Sequence, residues 1–337
     1  MKRMCNALII AAAMLLLILD TKTAVSGATD GIHLCLRVLI PSLFPFFLIS
    51  ILLTDALVGI SSPLLRPLGK LLKIPAGSES IFLVGMLGGY PVGAQIIAQS
   101  VQKGMLVKQD AVRMMGFCNN VGPAFLFGVI STQFPNTSFT WLIWIIIILS
   151  TIFTAMILPG SGSHPVTSCR SKPISLTQAM EKSIKVMAGI CGWVVIFRVI
   201  MAFLERWLLW MLPATYAIVL QMLLELANGC TAINLIDNIT VRFIVCVTGL
   251  CIGSLCVLLQ TKSAANILGI GKYIPGKLIQ AVISFLLAIP TVYMVRRGIA
   301  PLIIASILLS CLPILIFMSL YRVKRKNKYG NLLTAGV

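Results

Sequence analysis

The sequence predicts an all-α polytopic membrane protein, with about eight transmembrane helices plus two re-entrant hairpins arranged as inverted repeats. Three observations carry that expectation. Apolar residues fill 58% of the 337 positions, mean hydropathy is +1.01, and only 11% of residues are charged, against roughly 25% in an ordinary soluble domain. Runs such as "FTWLIWIIIILSTIFTAMIL" (139–158) continue without a charge for the roughly 20 residues that cross a bilayer, where a soluble helix would show a polar face. The 27 Lys and Arg residues outnumber 9 Asp and Glu, and they gather in short clusters between the apolar runs rather than in a basic domain. Such clusters are topological markers that stay cytoplasmic, not a nucleic-acid surface.

The segments follow in order. "NALIIAAAMLLLILD" after Lys2 and Arg3 reads as a first span, not a signal peptide, because no small-x-small cleavage site follows it. The clusters Arg66/Lys70/Lys73, Lys103/Lys108/Arg113, Arg170/Lys172/Lys182/Lys185 and Lys262/Lys272/Lys277 all favour the cytoplasm, as do the N-terminus and the tail from Arg322 to Lys328. The uncharged "STQFPNTS" (131–138), just before Trp141 and Trp144, suits an external loop beside an aromatic belt. A segment at about 79–101 with basic clusters on both sides must then turn back within the membrane. "GMLGGYPVGAQ" (85–95) supplies the Gly and Pro residues for that turn. Non-helical backbone at such depth needs protein or a water-filled cavity around it.

The second half repeats the plan with reversed sense: a span at about 183–204, a segment at about 207–236 broken at "ELANGC", and a span at about 240–261. Gly89 and Asn120 lie 31 positions apart, as do Gly229 and Gln260. Inverted repeats whose broken helices meet near the midplane are a recurrent transporter plan.

Polar residues stranded in these segments are the candidate site. They are Tyr90, Gln95, Asn119 and Asn120 in the first half, and Glu225, Asn228 and Gln260, with Thr231 and Thr261, in the second. Amides and hydroxyls both donate and accept, which suits an uncharged polar solute or the capping of broken helix ends; equally, they can bridge neighbouring helices. An intramembrane carboxylate such as Glu225 is costly and reads as a functional group. Arg198 on the preceding span is its alternative, structural partner. The ten cysteines form no C-x-x-C pair and read as small apolar residues. No Walker loop, HExxH helix or nucleophile elbow occurs, and the two histidines fall in expected loops. This argues against an enzyme, and no cofactor or metal is called for.

"LRVLIPSLFPFFLISILL", "LGGYPVGAQIIAQSVQKGML", "GFCNNVGPAFLFGVI" and "LLELANGCTAI" together resemble the YlbJ-type sporulation integral membrane proteins, relatives of the spore maturation proteins with nucleoside-recognition (Gate) domains. The resemblance implies a multi-pass protein of a bacterial cell membrane used in endospore formation, in cortex or envelope assembly. On this reading residues 1–30 form an N-terminal span, 31–160 a first Gate-like repeat, 161–182 a cytoplasmic linker, 183–298 a second, inverted repeat, and 299–337 a last span with a basic tail. Two functions are open: a transporter or gated permease for a small polar solute, nucleoside-like by the family name, or a non-transporting scaffold or sensor for spore-envelope assembly. The implied partners are the lipid bilayer and that solute, with room for a homo-oligomer or a spore-envelope protein.

Overall fold

The computed structural model describes residues 2–57, 64–160 and 174–296, so the last span and basic tail expected at 299–337 lie outside the described residues, as does most of the 161–182 linker. The described chain is helical: α1 (Lys2–Leu19), α2 (Thr21–Leu34), α3 (Ile40–Leu57), α4 (Arg66–Leu72), α5 (Glu79–Gly88), α6 (Val92–Gln102), α7 (Lys108–Cys118), α8 (Pro123–Gly128), α9 (Thr137–Ile157), α10 (Leu176–Trp207), α11 (Ala214–Leu224), α12 (Leu226–Thr231), α13 (Ile239–Ile252), α14 (Leu255–Ala264) and α15 (Tyr273–Arg296). Among the described residues five segments are long and apolar enough to cross a membrane: Thr21–Leu53, Thr137–Ile157, Leu176–Trp207, Ile239–Ala264 and Tyr273–Tyr293. The expected count of about eight is therefore met only in part. The apolar run at the N-terminus is shorter, Arg3–Leu19, and Asp20 ends it by accepting the Thr23 N–H as the cap of α2.

Local chemistry explains the joints. Pro41 has no N–H and crowds the carbonyl four residues back. The backbone widens just before it into a π-turn over Cys35–Leu39, with Ile40 N–H bonding to Cys35 O, so α2 runs on into α3. Gly27 and Gly31, one helical turn apart in "GATDG", press against α10: a Cβ at Gly27 would lie 2.8 Å from Ala202 Cβ, and one at Gly31 2.9 Å from Val195 Cα. This is the small-x-x-x-small approach that lets membrane helices pack by their backbones. α10 begins with a capping box, Ser175 and Gln178 satisfying one another's backbone N–H groups.

Around these outer helices lies a core in which α15 packs against α7, α9 and α13. Within it four helices are interrupted: between α5 and α6 at Gly89–Pro91, between α7 and α8 at Asn119–Gly122, between α11 and α12 at Glu225, and between α13 and α14 at Gly253–Ser254. Two of these were not expected: the break at Asn119–Gly122, and the one at Gly253–Ser254 that makes the candidate span at 239–264 two helices instead of one. The break expected in "ELANGC" falls at its first residue, Glu225, and Gly229 sits inside α12 pressed onto Met222. The spacing match between Gly89–Asn120 and Gly229–Gln260 therefore does not join equivalent breaks.

Arg113 also differs from expectation. It is buried, 4% exposed, not a loop charge. Its guanidinium donates to Leu72 O (2.8 Å) and Lys73 O (2.9 Å) at the end of α4, and to Ala155 O (2.6 Å) and Leu158 O (3.2 Å) at the end of α9.

Candidate functional site

The first two breaks touch each other through backbone. A Cβ at Gly89 would lie 2.9 Å from Gly122 N, one at Gly93 2.5 Å from Cys118 O, and one at Gly85 2.3 Å from the same oxygen. Glycine is required at 89 for a second reason: its φ of 74° and ψ of −176° are open only to glycine. Gly253 ends α13 in the same conformation, φ 78° and ψ −164°. The chain thus spends two helix-ending glycines on exposing backbone at the centre of an apolar bundle, and side chains satisfy the freed groups.

Asn119 accepts from Ala94 N (3.3 Å) and donates to Thr261 Oγ1 (2.9 Å), tying the α7 break to α6 and α14. Asn120 donates to Phe117 O (2.7 Å) and accepts from Lys277 Nζ (2.8 Å). Both amides are buried and line none of the three cavities described below. Glu225 is 3% exposed, and its oxygens accept from Ala227 N (3.1 Å) and Asn228 N (2.7 Å) at the start of α12. It is an N-cap whose charge faces the positive end of a half-helix. Arg198 is not its ion-pair partner: that guanidinium reaches Glu205 (2.6 Å) and Asp30 (3.3 Å).

Lys277 is the residue that the charge pattern misplaced. Expected in a cytoplasmic cluster, it is 2% exposed on α15, within a candidate span. Its ammonium donates to Asn120 Oδ1 (2.8 Å) and Gln280 Oε1 (2.9 Å), reaches the Tyr90 hydroxyl at 3.5 Å, and lies 5.1 Å from the centre of the Tyr90 ring. Gln280 passes the network on to Thr151 on α9 (2.9 Å). The signal in the sequence was position: Lys277 and Gln280 fall inside "YIPGKLIQAVISFLLAIPTV", where helical spacing turns both to one face.

Three cavities lie in a row along α10. The first, about 260 Å3, is lined by Lys185, Gly189 and Trp193 of α10 with Pro91, Gln95 and Gln260. A central one of about 60 Å3 is bounded by Ile190 and Val194 and by three of the breaks, through Gly89 and Tyr90, Gly122, and Glu225, with Gln260 between them. The third, about 390 Å3, is lined by Arg198 and Glu205 of α10 with Gln221, Asn228 and Thr231. Tyr90, Glu225 and Gln260 therefore meet at the central cavity, Gln95 lies on one side of it and Asn228 on the other. The Asn228 side-chain nitrogen is buried without a hydrogen-bond partner among the described residues, a donor available to an occupant of the third cavity.

The capping role of Glu225 has a measurable consequence. Glu225→Gln keeps one acceptor but turns an NH2 toward a second backbone N–H. It is expected to cost about 1 kcal/mol, and Glu225→Ala about 2 kcal/mol, as lower melting temperatures of the purified protein. Adding Arg198→Met to Glu225→Gln should deepen the loss, because the two side chains serve different partners; recovery in the double variant would contradict this assignment.

No family model matches the chain, and no solved structure matches it. Over 138 residues it is 30% identical to the sporulation integral membrane protein YlbJ of Bacillus subtilis (strain 168). The match covers 38% of this chain and 33% of that protein, so the chain spans about a third of the length of the curated relative it matches. Over that stretch the chain is similar to this sporulation integral membrane protein, in line with the resemblance that its motifs carry.

Proposed function

We propose that this chain is a membrane permease that moves a small polar solute and serves endospore formation. The row of cavities along α10 carries the reading. From Lys185 in the first cavity to Glu205 in the third, the helix rises about 30 Å, the thickness of a bilayer's hydrocarbon core. Two polar vestibules separated by a narrow, gated centre are the form alternating access requires. At about 60 Å3 the centre holds a few waters and lies well below the roughly 300 Å3 of an ordinary small-molecule site. A solute passes only if the α5–α6 tip or α12 moves. Tyr90 and Gln260 would meet it with neutral donors and acceptors, and Glu225 fixes the half-helix that closes the other side.

The order of broken elements supports an inverted-repeat transporter. A pair of short helices followed by a broken helix occurs as α5–α6 with α7–α8 and again as α11–α12 with α13–α14. A nucleoside-like solute rests on the resemblance alone, and the sporulation role on the YlbJ relative.

The test joins flux to accessibility. Purified protein in liposomes is offered labelled nucleosides, amino acids and peptidoglycan precursors in turn. In parallel, single cysteines at Gly189, Val194 and Gln221 in a cysteine-free chain are exposed to impermeant thiol reagents. Uptake of one class is expected, with position 189 labelled from one face, 221 from the other, and 194 protected by the transported solute. No uptake together with an unreactive 194 would leave the scaffold reading in its place. Deletion of the gene should leave vegetative growth intact and lower the yield of heat-resistant spores; equal yields would remove the sporulation role.

A further inference from the structure

Lys277 and the hydroxyl of Tyr90 are joined in a way that the cavities alone do not explain. An ammonium has three N–H donors and no acceptor. Three neutral oxygens stand around this one: Asn120 Oδ1, Gln280 Oε1 and the Tyr90 hydroxyl. No carboxylate pairs with it among the described residues. The ionisable groups facing it are the Cys118 thiol at the end of α7, the Cys251 thiol on α13, Tyr90 at the α5–α6 break and Tyr273 on its own helix. From α9 it is approached through Gln280 and the Thr151 hydroxyl, which does not titrate. The positive charge is held instead by amide and phenol dipoles beside the C-terminal, partially negative end of α7.

Tyr90 has one hydroxyl hydrogen, and it is committed. The hydroxyl donates to Leu250 O (3.0 Å) in the last turn of α13, while its lone pairs face the Lys277 ammonium. That single bond ties the α5–α6 tip to the end of the helix that breaks at Gly253. The same tyrosine lines the central cavity.

We propose that Lys277 is a proton-operated switch for the hairpin tip: when the amine gives up its proton, the Tyr90 hydroxyl turns from Leu250 to Lys277 and releases the tip from α13. An N–H bond of the ammonium breaks and the proton leaves to water outside the site. The lone pair left on nitrogen accepts the Tyr90 hydrogen, and nothing is oxidised or reduced. A neutral amine keeps two N–H groups for Asn120 and Gln280 and gains one acceptor, so every partner but Leu250 O stays satisfied. In the charged state the tip is fastened; in the neutral state it is free. What the switch gates rests on the pathway reading above, but the switch itself does not.

Hydrogen exchange on the full chain in lipid nanodiscs reads the link without any solute. After correction for the intrinsic dependence on pH, protection at residues 248–254 and 86–92 is expected to fall roughly fivefold between pH 5 and pH 10, the shift that one net hydrogen bond supports. Lys277→Arg and Lys277→Met should both hold high protection across the range. Arginine keeps its charge, and methionine offers the hydroxyl no acceptor. Tyr90→Phe should be flat and low, since the bond to Leu250 is gone while Lys277 still titrates. A flat wild-type profile overturns the proposal. So does a step that survives in Lys277→Arg or in Tyr90→Phe, and these two variants decide the matter if Lys277→Met does not accumulate. A pathway disproved by the cysteine scan, with the step intact, would leave a proton sensor rather than a gated permease.

Discussion

Gly89→Ala is expected to lower the melting temperature of the purified protein and its abundance in the membrane more than Gly253→Ala does. Both glycines hold a backbone conformation that other residues reach only at about 1–3 kcal/mol of strain. They differ in what surrounds them. A methyl group at 253 would find its nearest neighbour, the Tyr90 hydroxyl, at 3.8 Å, ordinary contact, whereas at 89 it would stand 2.9 Å from Gly122 N and 3.2 Å from Gly122 Cα. No flexible side chain can give way there, because the obstacle is the backbone of the α7–α8 break. The excess loss at 89, about 2 kcal/mol, is the cost of prising two breaks apart. Equal losses at the two positions would mean that the breaks are not in contact. A Gly89→Ala protein that still accumulates should lose the proposed transport, since the central cavity is walled by this contact.

Arg113→Met should be at least as damaging. One guanidinium satisfies four carbonyls at the ends of α4 and α9 and packs 5.1 Å from the Phe117 ring centre. Methionine fills much of the volume but strands those oxygens away from water, each unsatisfied group costing on the order of 1–3 kcal/mol before relaxation. A net loss of about 3 kcal/mol or more is expected, seen as little folded protein after extraction. Arg113→Lys keeps the charge but not the planar fork that reaches two helix ends at once, so it should recover only part of the loss. Were lysine to restore full stability, Arg113 would be acting as a point charge, and the staple between α4 and α9 would be a minor feature.

Arg113 and Lys277 mark the limit of reading charge along the chain. Both stand close to residues that do face outward, Lys108 and Lys272, and a rule that counts basic residues near span ends cannot separate them from such neighbours. What separates them is a ring of carbonyl or amide oxygens supplied by residues remote in sequence: Leu72 and Ala155 for one, Asn120 for the other. A buried cation is tolerable only where such partners converge, and convergence is a property of the packed helices.

Composition and periodicity by themselves determined that the chain is helical and membrane-bound, because lipid leaves the backbone few other ways to satisfy its hydrogen bonds. They also located the breaks at Gly89–Pro91 and near Glu225, since Gly, Pro and polar residues in an apolar run have few other uses, but not the break at Asn119–Gly122, where they marked only the polar side chains. The resemblance to YlbJ was legible for the same reason: its motifs are those breaks. Only the tertiary structure decided what the polar residues do. It turned Asn119 and Asn120 inward to hold the breaks together, gave Glu225 to the start of α12 instead of Arg198, split the 240–261 segment at Gly253, and brought Lys277 to Tyr90. An amide or a charge carries no record in sequence of which distant group will meet it. Its partner is fixed when helices dock through their glycines and close every remaining hydrogen bond where water is scarce.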